Sequence, residues 1–311
     1  MYLNLFKWEK LWWTLSVLFI VLGLIAMAIS WTQFGWPIKP GLDFIGGTRL
    51  QLQLVCAKDK SCPAPIDVAQ VRDVLTEEGL GNSTLQVIEN YTLAIRSQTL
   101  DVNQRNQIQQ SLSRKVGKFD AETIQIDTVG PTIGKELFQS GSIAFVLSLL
   151  GIIVYLAVRF QWDYAFFAVL ALIHDVLVTA GAFALLSLMA GVEIDSLFLV
   201  SLLTIIGFSV NDTVVIYDRI RETLTLNPND SVNEIVEAAV NQTLSRSINT
   251  TLTALLPLIA IFFFGGETLK FFALALIIGF TSGAYSSIFI ASTLWAWWRN
   301  RRNSGKQTAP A

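Results

Sequence analysis

Charge is scarce in this chain. Only 15% of its 311 residues are Asp, Glu, Lys or Arg, where a soluble domain carries about 25%, and the mean hydropathy is +0.52. That composition excludes an ordinary soluble protein and leaves a membrane protein. The formal net charge of -2 carries no sign of nucleic-acid binding. A single histidine, His174, cannot supply a metal cluster, and the two cysteines, Cys56 and Cys62, lack metal-ligand spacing. There is no phosphate-binding glycine loop and no hydrolytic triad. No residues speak for an enzyme, a metal or an organic cofactor.

What is present is apolar length. Six runs are long enough to span a bilayer as helices, at 11–30, 139–158, 164–190, 196–217, 246–265 and 269–298. Basic residues set their orientation. Lys7 and Lys10 lie in the 1–10 leader, and Arg159 follows the second span. Arg219, Arg221 and Arg246 flank the 218–245 loop, and Arg299, Arg301, Arg302 and Lys306 lie in the 299–311 tail. The loop after the third span holds Glu193 and Asp195 but no basic residue, and the loop after the fifth only Lys270. Both termini are therefore expected in the cytoplasm. Trp12, Trp13, Trp31, Trp36, Trp162, Trp295, Trp297 and Trp298 cluster at span ends, as interface anchors do. The first span also mimics a cleaved signal peptide, with Ala26-Met27-Ala28 at its end. Its length and exit tryptophans favour an anchor.

Residues 31–138, roughly 110 in number, have soluble composition and the size of one domain. Leu50, Leu52 and Leu54 alternate on one strand. Val68, Val71, Val74 and Leu75 recur at helical spacing within 67–78. Residues 85–89 and 92–96 read as strands joined by a tight Asn90-Tyr91 turn. A second helix at 102–116 precedes a strand at 121–129, with Ile124 and Ile126 facing one way. The order β-α-β-β-α-β predicts a ferredoxin-like α+β domain on the outer, periplasmic side. Cys56 and Cys62 lie in it, and an oxidising compartment permits a disulfide there; two free thiols are the alternative.

One ionisable residue lies deep in the fourth span. Asp212 falls about six residues, or ~9 Å of helix, inside Asp218 at the expected boundary. A carboxylate there costs a few kcal/mol, so a proton or ion site is the default expectation and a static interhelical hydrogen bond the bland one. Ser201, Ile205, Phe208 and Asp212 share one stripe, with Asn211 and Thr213 adjacent. On the fifth span Arg246, Asn249, Thr250, Thr253 and Pro257 form a polar stripe. Asp212 and Arg246 are expected at comparable depth. Burial in low dielectric opposes ionisation and a nearby cation favours it, so a contact made and broken would load and release a proton. The alternative for Arg246 is that it only anchors its helix end. Asp175, beside His174, either extends a proton path or bonds a neighbouring helix. Gly207, Gly279 and Gly283 are expected as close-packing points, and Gly265-Gly266 as a turn. Ser231-Val232-Asn233-Glu234 is a capping box that predicts a short amphipathic helix on the inner membrane surface.

Three stretches resemble a known family. Gly41-Leu42-Asp43-Phe44-Ile45-Gly46-Gly47-Thr48, just after the first span, resembles the signature of the SecD/SecF proteins. Residues 210–222, Val-Asn-Asp-Thr-Val-Val-Ile-Tyr-Asp-Arg-Ile-Arg-Glu, are similar to the fourth span of the SecF branch, and 245–251, Ser-Arg-Ser-Ile-Asn-Thr-Thr, to its fifth. The resemblance reaches as far as Arg302. It implies a half-transporter of the resistance-nodulation-division superfamily, paired with SecD and associated with the SecYEG channel and YajC in the bacterial inner membrane. The implied activity is use of the proton-motive force to help draw unfolded secretory polypeptides outward after SecA has pushed them. Asp212 and Arg246 match the residues implicated in proton conduction, with protons as the coupling ion; no role for Asp175 is implied. The outer domain is the implied moving part, meeting substrate or SecD. The rival readings are a proton/small-molecule antiporter half and a passive membrane scaffold.

Overall fold

The computed structural model describes residues 3–59 and 61–307. The side chains of 267, 268 and 303–307, Lys306 among them, lie outside the described residues. The chain forms two compact units, 40–140 and the remainder. The first long helix, α1 (Glu9–Phe34), ends at Gly35, whose φ of 73° is the left-handed cap that favours glycine.

In the 40–140 unit a short helix α2 (Leu42–Ile45) precedes β1 (Gly47–Gln53), α3 (Val68–Glu77), β2 (Thr84–Ile88), β3 (Thr92–Ser97), α4 (Val102–Lys115) and β4 (Gln125–Val129). The sheet order is β2-β3-β1-β4 with every neighbouring pair antiparallel. Alternation along β1 places Leu50 and Leu52 in the core, with Leu54 just beyond, beside Leu93 and Ile95 of β3. Val71, Val74 and Leu75 of α3 and Ile108 and Leu112 of α4 close over them. Both helices are capped: Asp67 accepts from the Ala69 N–H, and Asp101 with Gln104 forms a capping box. The hairpin turn contains the expected Asn90 and Tyr91 and begins one residue earlier, at Glu89. Glu89 (φ 50°) and Asn90 (φ 66°) take the left-handed conformation, and the Tyr91 carbonyl accepts the Leu54 N–H at 3.0 Å. The last strand begins at Gln125 rather than 121. Cys56 and Cys62 form a disulfide.

The Gly41–Thr48 signature is explained by close backbone approach within this unit. Gly46 has φ 73°, and a Cβ on it would lie 2.8 Å from the Pro131 Cα. Gly47 has φ 123°, and its Cβ would lie 2.5 Å from the Ser97 carbonyl oxygen. Gly41 precedes the α2 turn, and Asp43 within it is half-buried.

The other unit is helical. Among the described residues six helices are long and apolar enough to cross a membrane: α1 with the turn before it, α5 (Pro131–Arg159), α6 (Trp162–Ala190), α7 (Ser196–Leu226), α8 (Val232–Phe264), and the run Leu269–Arg302. That last run joins α9 (Glu267–Ser286) to α10 (Ser292–Gln307) through a π-helical turn at Ser287–Ala291. Gly23 of α1 and Gly181 of α6 let the two backbones meet; a Cβ on Gly181 would lie 2.6 Å from the Gly23 Cα. Tyr164, Tyr217 and Trp295 pack at the core near one end, with Tyr164 stacked 4.6 Å from Trp295.

The 218–245 segment departs from expectation. Helix α7 runs on to Leu226, and α8 is a single 33-residue helix from the Ser231 capping box through the fifth span. Among the described residues the segment holds no helix separate from these two. The apolar face of Ile235, Val236, Ala239 and Val240 is buried against Ile216, Tyr217 and Ile220 of α7, inside the helical core. At 1.5 Å per residue α8 is about 50 Å long, so its first turns extend beyond a hydrocarbon core of about 30 Å.

Candidate functional site

Helix α7 starts at Asp195, whose carboxylate accepts the Phe198 N–H, and has no Gly or Pro near Asp212 to bend it except Gly207. Asp212 falls near the middle of this 31-residue helix. Its side chain is turned into the bundle and is 7% exposed. Ser247 of α8 donates to Asp212 Oδ1 at 2.6 Å. Asp212 Oδ2 has no hydrogen-bond partner among the described residues. A buried acceptor without a donor is uncommon and asks for an explanation. A carboxyl held through one oxygen and open at the other can gain or lose a proton at the open one without breaking its anchor.

Arg246 makes no hydrogen bond or ion pair with Asp212 among the described residues, but it lies near enough for its charge to act on that carboxyl. It is exposed on α8, one residue before Ser247. Asn249 and Thr250 are exposed with it, as are Thr253 of α8 and Thr204 and Asn211 of α7. The expected stripe therefore exists, but it faces out of this six-helix unit. Gly207 lies on the same open side: a Cβ there would meet nothing within 4 Å, so it is not the close-packing point expected. Gly279 and Gly283 are; a Cβ on the first would overlap Ile205, and on the second would lie 3.2 Å from the Ser209 Cβ.

Asp175 is the centre of a second polar cluster and is fully buried. Ser282 donates to its Oδ1 at 2.7 Å, and His174 Nδ1 lies 3.0 Å from the same oxygen. Ser209 and Ser286 donate to Oδ2 at 2.6 and 2.7 Å. Each oxygen thus faces two polar side chains, drawn from α6, α7 and α9. Thr213, one turn beyond Ser209, shares a 2.9 Å hydrogen bond with Ser287 in the π turn. Helix α7 is thus held on one side through Ser209 and Thr213 and on the other through Asp212. Sequence reasoning missed Ser209, Ser247, Ser282 and Ser286, since a serine in an apolar helix bonds its own backbone as readily as a neighbour. The available signal was Ser282 and Ser286 at i,i+4, one helix face opposite Asp175.

Comparison with known proteins agrees across the whole chain. The family described as "Protein export membrane protein SecD/SecF, C-terminal" matches residues 108–301, and the "SecD/SecF GG Motif" matches 37–58. A protein translocase subunit SecF of Synechocystis is 66% identical over 97% of this chain and 96% of its own length. That of Thermobaculum terrenum is 36% identical over 96% and 95%. The crystal structure of SecDF from Thermus thermophilus, a translocon-associated membrane protein, superimposes with a TM-score of 0.79 at 30% identity. It covers 96% of this chain, which spans only 39% of that longer one. The chain belongs to the SecD/SecF family of protein-export membrane proteins.

Proposed function

We propose that this chain is the SecF-type half of a SecD–SecF pair that uses the proton-motive force to assist secretory proteins through SecYEG, with Asp212 as the proton-carrying group. The observation that carries the reading is Asp212 itself: mid-helix, buried, anchored by Ser247 and open at Oδ2. The Arg246-Asn249-Thr250-Thr253 stripe supports a partner half. Polar side chains facing lipid are costly, and such residues face bundle interiors; six further helices from SecD would cover them and set Arg246 beside the path between the halves. In this reading the proton enters at Asp212 Oδ2, and Arg246 and Ser247 compete for the carboxylate as its charge changes.

The bacterial inner membrane with both termini cytoplasmic is supported by the basic residues at one set of span ends. The disulfide supports placing the 40–140 unit in an oxidising periplasm. The order β2-β3-β1-β4 with helices after β1 and β3 supports the ferredoxin-like assignment of that unit. YajC is carried as a further partner by family resemblance alone. Energetically, one charge crossing 100 mV yields about 2.3 kcal/mol, enough to shift a two-state equilibrium by one to two powers of ten. A proton per cycle therefore suffices to bias the position of an outer domain. The test is translocation into inverted vesicles with and without an imposed proton gradient. Asp212→Asn should match wild type without the gradient and lose the acceleration the gradient confers. Equal acceleration in both would leave a passive scaffold as the better reading.

A further inference from the structure

We propose that the groove between the start of α6 and the end of α10 binds the headgroup of an anionic phospholipid. The cavity has a volume of about 580 Å³. Arg299 and Arg302, with Gln161 and Asp163, form its polar wall, and Trp162, Phe166, Phe167 and Trp298 its apolar one. No residue of α7 or α8 lines it, so it is separate from Asp212 and from the outward polar stripe.

The two arginines are held for an anion. Arg299 Nη1 lies 3.2 Å from Asp163 Oδ2, the oxygen that also accepts the Trp295 indole N–H at 3.2 Å. The guanidinium is thereby fixed against the base of the groove. Arg302, exposed and three residues on, stacks 5.3 Å above the Trp298 ring, which orients its fork without neutralising it. Two guanidiniums against the single Asp163 carboxylate leave one positive charge over. That matches the single negative charge of a phosphodiester, whose oxygens fit the planar donor geometry of arginine.

The apolar wall selects a lipid over a free anion. Trp162 is 81% and Phe166 62% exposed, at the end of a helix long enough to span. These are positions where aromatic rings meet the headgroup layer. Free phosphate gains nothing from those rings, whereas the glycerol and first acyl carbons of a phospholipid do. Bound lipid would seat the basic end of α10, where Arg301 also stacks over Trp297, on an anionic leaflet. The site stands independently of the proton-handling reading.

The test uses the full-length chain with its SecD partner in phosphatidylcholine nanodiscs. Brominated phosphatidylglycerol is titrated in, and quenching at the groove is read as the difference between wild type and Trp162→Phe. We expect half-quenching at a lower mole fraction than with brominated phosphatidylcholine, and a roughly fivefold loss of that preference in Arg302→Gln. That fold-change corresponds to about 1 kcal/mol for one basic residue at an anionic surface. Arg302→Lys should lose less, Asp212→Asn should lose nothing, and millimolar inorganic phosphate or an acidic peptide should not relieve the quenching. Equal quenching by the two lipids, or an unchanged preference in Arg302→Gln of wild-type thermal stability, overturns the proposal. So does displacement of the lipid by phosphate, which would make this a free-anion site, or by the peptide, which would make it a protein-docking site.

Discussion

Replacing Asp175 by alanine should destabilise the helical unit by an amount the structure sets. The change removes the acceptor of three interhelical hydroxyl bonds, from Ser209, Ser282 and Ser286. Measured side-chain bonds between membrane helices average about 0.6 kcal/mol and reach about 1.7. Three of them give about 2 kcal/mol at the average and about 5 at the upper end. The lower figure already changes the unfolding equilibrium by roughly thirtyfold. Asp175→Asn keeps one oxygen acceptor and should fall between. Ser209→Ala, Ser282→Ala and Ser286→Ala should each cost about a third of the alanine effect, because each hydroxyl lost leaves the carboxylate two serine donors. The assay is unfolding of the purified chain in mixed micelles titrated with a denaturing detergent, followed by tryptophan emission. Wild-type stability in Asp175→Ala would refute the reasoning: the cluster would then be an incidental contact. A series in which one serine accounts for the whole loss would show that the bonds do not act together.

Other expectations follow from single features. Arg246→Met should abolish gradient-stimulated translocation, and Arg246→Lys should retain most of it; full function in the methionine variant removes Arg246 from proton handling. Gly47→Ala forces a Cβ onto the Ser97 carbonyl at a positive φ, so it should cost at least about 1–3 kcal/mol and lower the amount of folded chain recovered from membranes. Reducing the Cys56–Cys62 bridge should destabilise the 40–140 unit by about 2 kcal/mol, the loop-closure value for so short a loop, read as faster proteolysis under reductant. In the same unit, Lys58 lies 2.7 Å from Asp120 and holds its carboxyl below the usual carboxylate range. That contribution is present above the unfolded carboxylate pKa and is lost as pH falls through the lowered folded one. Lys58→Met should therefore begin to open to pepsin at a slightly higher pH than wild type; an unchanged onset discards the pair.

The sequence disclosed features governed by local physics and hid those governed by contact. Hydropathy identified the six helices that, among the described residues, are long and apolar enough to span, because twenty apolar residues in a row admit few other outcomes. The alternation Leu50-Leu52-Leu54 and the helical spacing of Val71, Val74 and Leu75 reported their own burial. The capping box at Ser231 was legible too, but the length of the helix it starts was not. Whether Ile235 and Val236 face a membrane surface or the side of α7 depends on where α7 ends, which their own sequence does not contain. Asp212 stood out because a carboxylate in an apolar run is conspicuous. Its partner did not, since Ser247 is chemically ordinary and stands beside the charged Arg246. The outward direction of Arg246, Asn249 and Thr250 follows from a packing arrangement that only three dimensions supply.

Infrared difference spectroscopy on the chain with its SecD partner, oriented in vesicles, reaches the proton itself. Applying and collapsing a proton gradient should change the protonated-carboxyl stretch in wild type, and that change should vanish in Asp212→Asn while persisting in Asp175→Asn. A wild-type spectrum that stays constant across the gradient, or a change that survives in Asp212→Asn, would contradict the assignment of Asp212 as the group that carries the proton.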